Sequence, residues 1–127
     1  MERSIFFCIF AVAKNDIMYK DIRSLKEFNQ VLEDNDAVLG YFSNETCNVC
    51  KVLKPKIYDM IQQNYPKIKS VYIDISDIPE ISAQNSVFTI PTIIVYLAGK
   101  ETFRKSRHIG VDELKDAIER PYQIMFS

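Results

Sequence analysis

The sequence predicts an α/β chain: a central mixed β-sheet of about five strands flanked by helices on both faces. Three observations carry this reading. Segments with period-two or continuous apolar character alternate with segments whose apolar residues recur every three or four positions. The last two strand-like segments meet at a short turn, which makes an antiparallel hairpin. No internal repeat or low-complexity tract interrupts the order, which reads β-α-β-α-β-α-β-β-α.

Each element has its own warrant. Ile17 to Ile22 alternates in part and reads as a short strand. Ser24 with Glu27 three residues on is a capping-box pair, and Leu25, Phe28, Val31 and Leu32 follow at helical spacing until Asn35-Asp36 ends the helix. Ala37 to Phe42 is a short apolar run and reads as a buried strand. A polar loop, Ser43 to Thr46, leads to a helix from Cys47 to about Asn64 with Val49, Leu53, Ile57, Met60 and Ile61 on one stripe. Pro55 falls inside it and should kink it. Ser70 to Ile75 alternates as a strand, and Pro79 to Ser86 reads as a short helix. Thr92 to Ala98, entered through Pro91, is the strongest strand; Gly99-Lys100 turns the chain and Glu101 to Arg104 returns. Val111 to Arg120 is an amphipathic helix facing inward through Val111, Leu114 and Ile118. Pro121 is expected to break it and leave Tyr122, Ile124, Met125 and Phe126 as an apolar tail packed on the domain.

The chain has 127 residues, 47% of them apolar and 26% charged, so it has the length and content of one globular domain with a core of its own. Sixteen basic against seventeen acidic residues leave a net charge of -1, which argues against a dedicated nucleic-acid binder. No apolar run reaches the ~18 residues of a membrane span. The expected organisation is an N-terminal arm at 1–16, a domain at 17–120 and a tail at 121–127. Within the arm, Ile5 to Ala13 is apolar and ends in a small-x-small site, Ala11-Val12-Ala13. It has two readings: a signal segment that would export the chain, or an apolar arm on a domain that stays in the cytoplasm.

Three cysteines and one histidine exclude a disulfide-dense scaffold and most four-ligand zinc sites. Completing a zinc site would require Cys8 and His108 from opposite ends of the chain, and His108 reads as a solvated loop residue. Cys47 and Cys50 stand in C-x-x-C spacing where a strand and loop hand over to a helix. Residues i and i+3 of a helix have Cα atoms about 5–6 Å apart, compatible with a disulfide. Cys47 at the helix N-terminus would have its thiolate stabilised by free backbone N–H groups and the helix dipole. Lys51, Lys54 and Lys56 add positive charge whose effect depends on where the side chains point. Cys50, one turn in, would be more buried and less acidic. One activated and one withheld thiol suit two-step disulfide exchange. Two inert core cysteines would be the bland alternative.

Residues 17–120 resemble the thioredoxin family. The resemblance rests on Phe42 before the active loop, Cys47, Cys50 and Lys51, Pro55 five residues after the second cysteine, and Ile90-Pro91-Thr92. Gly99-Lys100 at the hairpin and Gly110 before the last helix extend it. It implies the thioredoxin fold and a thiol–disulfide oxidoreductase, with Cys47 the nucleophile and Cys50 the resolving thiol. It also implies that Pro91 is cis and that Ile90 and Pro91, with Thr46, dock an extended substrate segment by strand-like addition. Disulfide-containing protein substrates and a thioredoxin-reductase-type electron donor are the partners it implies. No metal or organic cofactor is called for, and a monomer is expected.

The chain also departs from the family. It has no Trp, and Thr46, Asn48 and Val49 stand where most members have Trp, Gly and Pro. Tyr41 and Tyr72 occupy the places of a buried Asp and its Lys. A tyrosine, with a reference pKa of about 10, is a poor base at neutral pH, so resolution by Cys50 is expected to be slower than in members carrying the Asp. Glu45 or Asp74 could substitute through water. The rival readings are an adaptor module of the same fold without turnover, and metal binding at the cysteine pairs of two chains.

Overall fold

A computed structural model describes residues 19–44 and 48–126, without the side chains of residues 48–50. The expectations for the 1–16 arm with Cys8, and for Glu45, Thr46 and Cys47, fall outside the described residues. The elements are β1 (Lys20–Asp21), α1 (Leu25–Asp34), β2 (Ala37–Ser43), α2 (Asn48–Asn64), β3 (Lys69–Asp74), α3 (Pro79–Gln84), β4 (Thr92–Leu97), β5 (Lys100–Ser106) and α4 (Val111–Phe126). Their order is the one expected from the sequence.

The five strands form one sheet in the order β1-β3-β2-β4-β5. β1 and β2 run parallel to β3, whereas β4 is antiparallel to both β2 and β5. The fold is therefore the mixed sheet that alternating elements and a terminal hairpin require. Alternate residues of the buried strands face opposite sides. Leu39, Tyr41, Ile93 and Val95 meet Ile57 and Ile61 of α2 and Leu114 and Ile118 of α4 in one cluster. Val38, Phe42, Ile94 and Tyr96 meet Phe28 and Val31 of α1 and Ile81 of α3 in the other. Helices thus cover both faces, and β2 in the middle is buried along its whole length.

Helix α1 starts as its sequence dictates. The Ser24 hydroxyl accepts from the Glu27 N–H at 3.1 Å. The Glu27 carboxylate reaches back to the N–H of Arg23 rather than that of Ser24, at 2.6 Å. Those contacts, with Lys20, hold the Glu27 carboxyl below its ordinary value.

Two details differ from expectation. The hairpin turn centres on Ala98-Gly99, because Leu97 pairs with Lys100, which already belongs to β5. Both turn residues have positive φ, 56° and 78°, the combination that suits a two-residue hairpin between right-twisted strands. The larger correction is at Pro121. Helix α4 does not break there but continues to Phe126 with Pro121 inside it. Packing outweighs the lost backbone hydrogen bond. Tyr122 and Tyr65 meet edge to face with ring centres 4.9 Å apart, and Phe126 packs against Tyr122 at a tilt, 4.7 Å away. The Tyr122 hydroxyl also accepts from the Lys67 N–H at 3.2 Å, and the Tyr65 hydroxyl donates to the Lys115 carbonyl at 3.1 Å. Residues 65–67 therefore grip α4 on both sides of the proline. Tyr122 and Phe126 pack on the domain, whereas Ile124 stays 69% exposed.

Candidate active site

The sheet register brings the motif-bearing segments to one end of the domain. Ser43, the last residue of β2, pairs with Asp74, the last residue of β3; Phe42 pairs with Thr92, the first residue of β4. The loop leaving β2 toward α2, the turn after β3 and the peptide Ile90-Pro91 therefore meet at the carboxyl ends of the parallel strands. This is the usual location of sites in open α/β sheets. Helix α2 begins at Asn48, so its free N–H groups fall inside the C-x-x-C segment, and the backbone of Cys50 lies in its first turn.

The loop before β4 is fixed at both ends. At its start, the Asn85 side chain accepts from the Tyr96 hydroxyl at 2.8 Å, and Arg104 donates to the Asn85 and Ser86 carbonyls at 2.8 and 3.1 Å. At its end, the Thr92 hydroxyl donates to the Thr89 carbonyl at 2.7 Å, and the Arg107 N–H to the Pro91 carbonyl at 2.8 Å. The Ile90–Pro91 peptide is cis. Pro91 is buried and Ile90 half-buried. Phe88, two residues earlier, is 82% exposed. Val52, 60% exposed on α2 two residues after Cys50, is a second bare apolar side chain.

Beneath α2 lies a cluster of aromatic rings. Tyr41 is fully buried, stacked on Tyr72 across the β2–β3 ladder at 6.2 Å and met edge-on by Tyr19 at 5.5 Å. Burial, reinforced by Tyr72, pushes the Tyr41 phenol well above its ordinary value. It stays protonated at neutral pH and cannot serve as a base. Asp74 is engaged elsewhere. Its Oδ1 accepts from the N–H of Ser76 at 2.8 Å and of Asp77 at 3.4 Å, closing the turn after β3.

The three lysines of α2 separate. Lys51 and Lys56 are exposed, whereas Lys54 is half-buried. Its Nζ sits 3.8 Å from the centre of the Tyr72 ring and 5.4 Å from that of Tyr19. The Tyr19 hydroxyl donates to the Lys54 carbonyl at 2.9 Å, just before Pro55. Loss of hydration pushes the Lys54 ammonium below its ordinary value, with Asp21 pulling the other way. The inward turn of Lys54 was available in the sequence, since Lys54, Ile57 and Ile61 recur at offsets of three and four on the buried stripe. Nothing in the sequence marked Phe88. His108 is exposed, as expected of a loop residue.

Comparison with known proteins matches residues 21–120 to the model of the thioredoxin family. Among curated relatives, a thioredoxin-like protein of Bacillus subtilis, YdfQ, is 26% identical over 103 residues, covering 81% of this chain and 91% of its own length. A thioredoxin of Mycoplasmoides gallisepticum is 30% identical over 100 residues, covering 79% of this chain and 99% of its own. Among solved structures, the oxidised thioredoxin of Plasmodium falciparum superposes with a TM-score of 0.72 at 25% identity, over 82% of this chain and 98% of that one.

Proposed function

This chain belongs to the thioredoxin family, and from that premise we propose that it reduces or exchanges disulfides in protein substrates through a Cys47/Cys50 dithiol. Family and fold support thiol–disulfide oxidoreductase activity in general. The observation that carries the specific reading is positional: the described part of α2 starts within the C-x-x-C segment, and the register of β2 with β4 brings the Ile90-Pro91 peptide beside the end of β2, from which the chain leads to that segment.

The chemistry follows from that arrangement. The helix N-terminus favours a thiolate in its first turn and just ahead of it. The Cys47 thiolate attacks one sulfur of a target disulfide, forming a Cys47–target disulfide and expelling the other target sulfur, which takes up a proton. Cys50 then attacks the Cys47 sulfur. A Cys47–Cys50 bond forms, the bond to the target breaks, and the second target thiol leaves. Two electrons have passed from the dithiol to the target, and a thioredoxin-reductase-type donor would return them. An extended target segment docks along Ile90 and Pro91, and Thr46 is a further docking candidate. Phe88, exposed two residues before Ile90, offers an apolar contact of the kind a Trp supplies in most members.

One observation favours the adaptor reading instead: a fully buried tyrosine, incapable of acting as a base, fills the place of the family's carboxylate. Insulin-disulfide reduction by dithiothreitol separates the two. The wild-type chain should accelerate insulin precipitation and Cys47→Ser should not; equal inactivity of both would leave the adaptor reading standing. Among the described residues no helix is long and apolar enough to cross a membrane.

A further inference from the structure

The second step of the proposed exchange, on which this inference rests, needs Cys50 as a thiolate. A free cysteine at neutral pH is mostly protonated. Among the described residues, the other groups the sequence offered for that charge are engaged or screened. Tyr41 is held as a phenol, Asp74 closes a turn, and Lys51 stands in water, where its charge is screened.

Lys54 differs from all of these. It lies one turn beyond Cys50 on α2, and residues at i and i+4 share a helix face with Cβ atoms about 5–6 Å apart. Its Nζ is already tucked between the helix and the sheet, 3.8 Å from the Tyr72 ring centre. The π-face holds a cation there without neutralising it, as a carboxylate partner would. Among the described residues, the titratable groups around it are Tyr19 ahead of β1, Asp21 on β1, Tyr41 on β2, Tyr72 on β3, and Tyr58 with Asp59 on its own helix. Asp21 is the carboxylate that acts on it directly, and Asp21 is exposed. Among the described residues the ammonium is therefore half-buried and only weakly compensated, a surplus positive charge beneath α2.

We infer that the Lys54 ammonium, braced against the Tyr72 ring, is the positioning charge that stabilises the Cys50 thiolate and so drives resolution of the mixed disulfide. The thiol proton ends on the departing target sulfur. Electrostatic stabilisation replaces proton abstraction, so no buried carboxylate is needed.

The test reads Cys50 itself, independently of turnover. In the Cys47→Ser background, the iodoacetamide alkylation rate of Cys50 is measured against pH, with and without a change at Lys54. An opposite charge within about 4–6 Å shifts a thiol by about 1 unit or more. Lys54→Met should move the alkylation midpoint up by about 1 pH unit, and Lys54→Arg, which keeps the charge, should move it little. Lys54→Gln serves as a second neutral variant, so a folding defect in one does not remove the comparison. An unchanged midpoint in the neutral variants, or an equal shift in Lys54→Arg, overturns the inference. Loss of insulin reduction in the wild-type chain would sink the enzymatic reading and leave this titration unaffected, so the two failures are distinguishable.

Discussion

Cys50→Ser should stall the reaction after its first step, with the target left covalently attached to Cys47. A serine hydroxyl is not ionised at neutral pH and does not exchange with disulfides, so position 50 can no longer attack the Cys47–target bond. Release then depends on external thiol, and turnover should fall by orders of magnitude. On a non-reducing gel the variant should carry higher-mass adducts that dithiothreitol removes. The double variant Cys47→Ser/Cys50→Ser is the necessary comparison, because it keeps the docking loop and loses the nucleophile. Equal adducts in the double variant would contradict the assignment of Cys47. The trapped proteins would also identify the substrates. The bare side chain of Phe88, two residues before Ile90, suits targets with an extended apolar segment next to their disulfide.

The largest loss of stability should come from Phe28→Ala. Phe28 is 1% exposed on α1 and meets Phe42 and Tyr96 edge-on, with ring centres 6.4 and 5.7 Å away. It joins the helix to both central strands of the sheet. Removing a ring from such a place costs about 3–5 kcal/mol, through lost burial and a cavity that rigid neighbours cannot fill. Urea denaturation should find that decrement. Phe88→Ala, at a ring that stands almost wholly in water, should stay within about 0.5 kcal/mol of wild type. A decrement under about 1 kcal/mol for Phe28→Ala would mean that α1 does not close the core as described.

Elements whose local signals agree with their packing were legible in the sequence. The Ser24/Glu27 pair set the start of α1, the apolar run at Ala37 set the central strand, and the Ile90-Pro91-Thr92 motif led to the expectation of the cis peptide that is found at Ile90–Pro91. Pro121 was misread because its local rule is real but small beside the grip of Tyr65 and Lys67 on α4, a contact between segments far apart in sequence. The hairpin centre was misplaced by one residue because Ala98 gives no hint that it will adopt a positive φ. At the site, the sequence located the missing carboxylate but not its surroundings. The tyrosine cluster arises from the pairing of β2 with β3 and from α2 lying across them, which no short-range pattern encodes, whereas the inward Lys54 follows the apolar stripe of its helix.

The central claim is that Cys47 and Cys50 form one reversible dithiol–disulfide couple. Equilibration of the full chain in glutathione buffers of graded potential, followed by acid quench, alkylation and mass analysis, tests it directly. The account predicts a single two-electron transition in which both cysteines are protected together, and which Cys47→Ser and Cys50→Ser each abolish. Two cysteines that stay alkylatable across the whole range, or a transition that survives in either variant, would contradict it.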